Sequence, residues 1–184
     1  MTTVSFTSMA DGTREDYELL HDLEQQFVAE LPDRLLAAVE ELRHSFSGYQ
    51  VSRYEHSLQS ATRAYKNGES EEMVVAALLH DIGDSLAPYT HGEMVAAILK
   101  PYMSEETCWI VKYHGLFQMY YYAHHYDGDR NARDLYRDHE YYQATVVFCE
   151  KYDQNCFDPD YESLPIGFFV PMVRRIFAEP RYLD

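Results

Sequence analysis

The stretch Val74-Val75-Ala76-Ala77-Leu78-Leu79-His80-Asp81-Ile82-Gly83-Asp84 decides the fold. An unbroken apolar run rises to His80 and Asp81 and stops at Gly83. Consecutive helical residues point about 100° apart, so this imidazole and this carboxylate cannot serve one ion in the same way. They can serve two ions if the carboxylate bridges. The same residues also read as a plain helix C-terminus, with Gly83 as a left-handed cap. The rest of the chain separates these readings.

Working outward, the sequence reads as helix after helix. Asp16 to Leu31 is amphipathic, with Leu19, Leu20, Leu23, Phe27 and Leu31 at helical spacing. Pro32 suits the first turn of a second helix that runs to about Ser45, and Ser47-Gly48 breaks it. Ser52 is a candidate cap for a helix carrying His56 that ends near Asn67-Gly68. Ser70 opens the His80-Asp81 helix, and His91 to Tyr102 forms another. Ser104, with Glu105 and Glu106 in the first turn to suit the helix dipole, opens the helix carrying His114. Asp127-Gly128-Asp129 is a turn and 133–138 a short polar segment. Glu140 to Asp153 and Pro165 to Phe177 are the last two helices. Residues 3–14 read as an irregular arm. No stretch alternates as a strand, so the expected class is all-α: a single domain over 1–184, with an N-terminal arm and helices at 1–45, a core at 46–156 and a C-terminal helix at 157–184.

Composition narrows the function. The chain has 184 residues, 46% hydrophobic and 15% aromatic, enough for a proper core. Fifteen Lys and Arg against 31 Asp and Glu leave a formal charge of −16, which argues against nucleic acid and anionic membrane as partners. No apolar run is long enough to span a bilayer, and the start MTTVSFTSMADGTREDY lacks the pattern of a signal peptide. Cys108, Cys149 and Cys156 are odd in number and outside CxxC spacing, so a reducing, cytoplasmic setting is expected.

Six residues then stand out as ligands: His56, His80, Asp81, His91, His114 and Asp153. Each lies on or at the end of a helix with an apolar face. A helical bundle can converge such side chains on one interior point. Four imidazoles and two carboxylates suit a pair of first-row transition ions. Absence of a cysteine pair argues against iron–sulfur clusters and structural zinc.

This order of residues resembles the HD-domain superfamily. The 24-residue step from His56 to His80 and the 23-residue step from His91 to His114 look like its small mixed-valent diiron oxygenases, the organophosphonate oxygenases and, more distantly, myo-inositol oxygenase. The resemblance covers about 46–156. It implies one metal on His56, His80, Asp81 and Asp153, and a second on His91, His114 and the shared Asp81. It implies two iron ions resting as Fe(II)/Fe(III), other divalent metals being compatible with the same ligands, and O2 as co-substrate. The reaction implied is oxidative cleavage of a C–P or C–C bond beside a carbinol in a small hydroxylated substrate, with Asp81 and Tyr49 in catalytic roles.

The resemblance thins around the ligands. Those oxygenases carry Tyr-x-Gly-Glu ahead of the first His, a pair that plugs the open iron site; here the stretch is Phe46-Ser47-Gly48-Tyr49, so Tyr49 stands where their Glu does. Their second His in His-Asp-Ile-Gly-His is Asp84, and their Lys one turn past the fourth His is Gln118. Gln59 matches their substrate-contacting Gln. Gln59, Asp84 and Gln118 are therefore the expected substrate contacts, and a changed substrate is the natural inference. His21, His44, His124, His125 and His139 have no place in the motif and read as surface or rim residues. Tyr120-Tyr121-Tyr122 and Tyr126 read mainly as packing. Arg130, Arg133 and Arg137 form a local basic group, read mainly as loop solvation and secondarily as an anion contact. The alternative activity is a dinuclear metal-dependent phosphohydrolase acting on a small phosphoester or nucleotide, in which a bridging hydroxide attacks phosphorus. A non-catalytic metal-binding module is disfavoured because no ligand is missing.

Overall fold

The computed structural model describes residues 3–182, so both ends of the expected 1–184 span lie outside the described residues. Eight α-helices run in order, with no strand among the described residues: α1 (Arg14–Ala29), α2 (Leu31–Glu41), α3 (Arg53–Lys66), α4 (Glu71–Leu79), α5 (His91–Leu99), α6 (Glu105–Tyr122), α7 (Tyr142–Phe148) and α8 (Ile166–Ile176). The all-α expectation holds.

Local chemistry sets the helix starts. Ser52 and Glu55 form a reciprocal capping box at α3. Ser70 accepts from the Met73 amide at α4, and Ser104 accepts from the Thr107 amide at α6. Glu72 in the first turn of α4 also accepts from the Ser104 amide (2.9 Å) and the Thr107 hydroxyl (2.6 Å), so the N-terminal ends of α4 and α6 are tied to one carboxylate.

The core runs through α2, α3, α4, α5, α6, α7 and α8, with Leu78, Leu79, Leu99, Phe117, Phe148 and Phe169 fully buried. The apolar run Val74 to Leu79 is buried on all sides, as a helix without a polar face must be. Helix α1 differs from expectation. Its apolar spacing is present, yet Leu20, Leu23 and Phe27 remain exposed, Phe27 at 60%. Among the described residues α1 leans chiefly on α2, where the Arg34 guanidinium sits over the Phe27 ring at 3.8 Å. The second helix also ends sooner than expected, at Glu41, and tightens into a 3-10 turn over Leu42–His44.

Two glycines position the interior. Gly83 does not adopt the left-handed conformation; Gly48 and Gly68 do. The cap reading of Gly83 is therefore corrected. A side chain there would press on the His91 carbonyl oxygen at 3.0 Å and its Cα at 3.1 Å, so the glycine permits a close approach to His91. Gly92 does the same between α5 and α6, where an added Cβ would lie 2.7 Å from the Lys112 carbonyl oxygen and 2.8 Å from that of Val111. We expect Gly92→Ala to cost about 1–3 kcal/mol of stability, because rigid backbone must move to admit the methyl group. Denaturant unfolding tests this; an unchanged midpoint would contradict the close-approach role.

Candidate metal centre

The six expected residues come together in the interior, from five separate segments. His56 comes from the first turns of α3. His80 and Asp81 come directly after the last residue of α4, where the chain leaves the helix through successive turns closed by Ile82 N to Leu79 O and Asp84 N to Asp81 O. His91 opens α5 and His114 lies within α6. Asp153 ends a π-helical turn over Cys149–Asp153 that continues α7. Such a turn adds a residue to the helical repeat and re-aims the side chains beyond it, a common device at functional sites. His56 and His80 have no exposed surface, and Asp81, His114 and Asp153 expose 2% or less.

The imidazole tautomers are set by their partners. Nδ1 of His56 donates to the Cys156 carbonyl (3.0 Å), that of His80 to Ala77 (2.7 Å) and that of His114 to Val111 (2.6 Å). A carbonyl only accepts, so each Nδ1 carries the proton and each Nε2 is left with its lone pair. The Nε2 atoms face one another in pairs. His56 Nε2 is 3.1 Å from His80 Nε2, and His91 Nε2 is 3.1 Å from His114 Nε2. The His56 and His80 nitrogens are both acceptors in their neutral rings, and at that distance they call for a cation between or beside them.

Asp81 stands between the two pairs. Its Oδ2 is 3.4 Å from Nε2 of both His56 and His80. Its Oδ1 is 3.3 Å from His114 Nε2 and 3.5 Å from His91 Nε2. Asp153 Oδ1 closes the first group, 3.4 Å from His56 Nε2 and 3.8 Å from His80 Nε2. Asp81 Oδ2 and Asp153 Oδ2 are buried without a hydrogen-bond donor. Ligand atoms of three overlapping sets, His56/His80/Asp81, His80/His114/Asp153 and Asp81/His91/His114, fall within 4.8 Å of one another. Buried imidazole lone pairs and carboxylate oxygens without an aligned donor fit metal ions in this arrangement.

The charges agree. Burial drives the His80 imidazole down to about 4, only partly offset by Asp81. Burial works against a charged His114 too, but its contact with Asp81 prevails and holds it up to about 9. Burial would raise Asp81, yet His80, His114, Arg53 and His56 together hold it well below the ordinary carboxylate range. Asp153 is likewise lowered against the burial effect, by His56 and His80. Without an ion the cluster thus keeps two anionic carboxylates and draws a proton onto His114, where a metal would otherwise supply positive charge.

The residues around the six have specific partners. The Gln59 amide is engaged at both ends, donating to the Asp158 carbonyl (2.7 Å) and accepting from the Asp158 amide (3.3 Å). It pins the loop beyond Asp153. Gln118 donates to Asp153 Oδ1 at 2.6 Å. Asp84 lies 3.4 Å from His91 Nδ1 and 3.1 Å from Arg53 Nε. Tyr49 is half exposed and stacks on Phe157 at 4.5 Å; Phe157 stacks in turn on His56 at 4.5 Å, so Tyr49 sits one ring away from the first imidazole. Arg130 and Arg133 cover the Tyr120 ring and Arg137 pairs with Asp134; among the described residues no ion pair joins them to the six. His139 stacks on Trp109, and His21, His44, His124 and His125 are exposed. Arg53 was missed by sequence reasoning: it lies one turn before His56, and its Nη1 is 3.1 Å from Asp81 Oδ2. Surface hollows lie elsewhere, beside Glu72, Ser104 and Thr107, and along Glu93, Ala97 and Trp109.

The HD domain family model matches residues 53–146, half of the chain, which include five of the six cluster residues. The chain belongs to the HD-domain family. HD-domain proteins bind metals and act as metal-dependent enzymes, and the buried cluster of this chain fits that role. The chain is also 36% identical over 80 residues to a (1-hydroxy-2-(trimethylamino)ethyl)phosphonate dioxygenase (glycine-betaine-forming) of Leisingera caerulea. That match takes in 38% of this chain and 41% of the relative's length. No helix among the described residues is long and apolar enough to cross a membrane.

The geometry predicts unequal losses on mutation. Asp81→Ala should abolish metal retention altogether, whereas His114→Ala should lower it by about half. Metal analysis of purified, iron- or cobalt-loaded variants is the check. Full retention by Asp81→Ala would contradict the central place of that carboxylate.

Proposed function

We propose that this chain is a diiron oxygenase that uses O2 to cleave a C–P or C–C bond next to a carbinol in a small hydroxylated molecule. In this reading His56, His80, Asp81 and Asp153 hold one iron, and His91, His114 and Asp81 hold the other. The observation that carries it is the division of the Asp81 carboxylate, with one oxygen toward His56 and His80 and the other toward His91 and His114. The relative named as a phosphonate dioxygenase supports O2 chemistry and a phosphonate-like substrate. The ions would polarise the substrate hydroxyl and activate oxygen.

The chain's own residues then have defined tasks. The carbonyls of Cys156, Ala77 and Val111 fix three imidazoles with Nε2 inward. Gln118 steadies Asp153. Tyr49 and Phe157 cover the His56 side against water. A small substrate suits the centre because a chain of charge −16 repels polyanions. The shared apolar core of α2 to α8 supports reading 1–184 as a single domain.

The phosphohydrolase remains the competing reading, because the same paired-metal arrangement can generate a hydroxide for attack on phosphorus. Oxygen dependence separates the two. The iron-loaded protein should consume O2 with a hydroxylated phosphonate and lose turnover under strict anaerobiosis. Undiminished multiple turnover on a phosphoester without oxygen would overturn the oxygenase reading.

A further inference from the structure

The centre is not equally closed on all sides. Side chains of His56 and His80 expose 0%, Asp153 1%, His114 2% and Asp81 3%. By contrast His91 exposes 21%, Arg53 16% and Asp84 12%. These three side chains make an open edge of the centre.

They form a closed ring of polar contacts with Asp81. Arg53 Nη1 lies 3.1 Å from Asp81 Oδ2, and Arg53 Nε lies 3.1 Å from Asp84 Oδ2. Asp84 Oδ1 lies 3.4 Å from His91 Nδ1, and His91 Nε2 lies 3.5 Å from Asp81 Oδ1. These contacts are not equivalent. Asp84 pairs with both Arg53 and His91, so it serves as their common anchor. Asp81 Oδ2 is also claimed by His56 and His80. Neither Arg53 Nε nor Asp81 Oδ2 has an acceptor or donor in hydrogen-bond alignment. The guanidinium thus has donors to spare, beside a carboxylate that a metal ion would take from it.

We propose that Arg53, anchored by Asp84, selects the substrate by gripping an oxyacid anion on it while the substrate's hydroxyl occupies the metal centre. The substrate class is then a small hydroxylated molecule bearing a phosphonate, phosphate or carboxylate group. A planar guanidinium offers paired donors that match such a group. The position makes the choice physical: once a metal ion takes Asp81, the Arg53 Nη1 beside it is free to pair with an anionic group, a contact that a neutral ligand cannot match. This inference rests on the metal-centre reading above, but not on iron or O2.

The test uses the full chain loaded with cobalt(II), whose visible bands report ligand binding without turnover. (Hydroxymethyl)phosphonate is the anionic probe and imidazole the neutral one. Arg53→Leu should weaken (hydroxymethyl)phosphonate by on the order of tenfold or more, and leave both cobalt content and imidazole affinity near wild type. Arg53→Lys, which keeps the charge but not the fork, should fall between. Equal (hydroxymethyl)phosphonate affinity in wild type and Arg53→Leu would overturn the proposal. So would loss of cobalt from both variants, since Arg53 would then serve the Asp81 bridge instead. A wild-type protein that takes up no cobalt would overturn the metal-centre reading, and this inference with it.

Discussion

One carboxylate organises this molecule. Asp81 lies between two imidazole pairs whose Nε2 atoms meet at 3.1 Å. In the first pair both Nδ1 atoms donate to carbonyls, so no arrangement of the neutral rings satisfies the contact between the two Nε2 atoms. Removing a charged carboxylate from water costs several kcal/mol even after relaxation, and here two are buried among apolar helices. Positive charge around them offsets that cost: His114 and Arg53 supply part of it, and the cluster could hold a metal ion that supplies more. The surrounding architecture serves the same end. Gly92 lets α5 approach α6 closely enough to pair His91 with His114, and Gly83 lets the turn after Asp81 pass beside His91. The π turn at Cys149–Asp153 brings the second carboxylate in.

The electrostatics of the whole chain and of its centre are opposed. The surface is strongly acidic, while the interior gathers four imidazoles and the Arg53 guanidinium around two anions. Long-range attraction of an anionic ligand is therefore weak, and recognition falls to short-range contacts at the open edge. That edge is also where this chain departs from the oxygenases it resembles. Asp84 and Gln118 stand in place of their His and Lys, and both are engaged with centre residues: Asp84 with His91, Gln118 with Asp153.

Much of this was legible in the sequence because its signals are local. Ser52, Ser70 and Ser104 cap the helices they announce. The residue order from His56 to Asp153 named the six side chains that the fold brings together. The features that were not legible depend on distance in space. Gly83 looks like a cap in one dimension, yet its constraint is the backbone of His91. Gln59 looks like a ligand contact, yet both ends of its amide bind the Asp158 main chain, 99 residues away. Arg53 carries no motif at all; its meaning comes from Asp81 and Asp84, which reach it from another segment. The apolar spacing of α1 was real, but nothing local told that its face would remain uncovered by the described residues.

The central claim is that Asp81 joins two metal ions into one electronic unit. Low-temperature electron paramagnetic resonance of the iron-loaded, partially reduced protein tests this directly. A carboxylate-bridged Fe(II)/Fe(III) pair should give the signal of two coupled ions, and Asp81→Ala should lose it. A spectrum of isolated ferric ions alone, at full iron loading of the wild-type protein, would contradict the account.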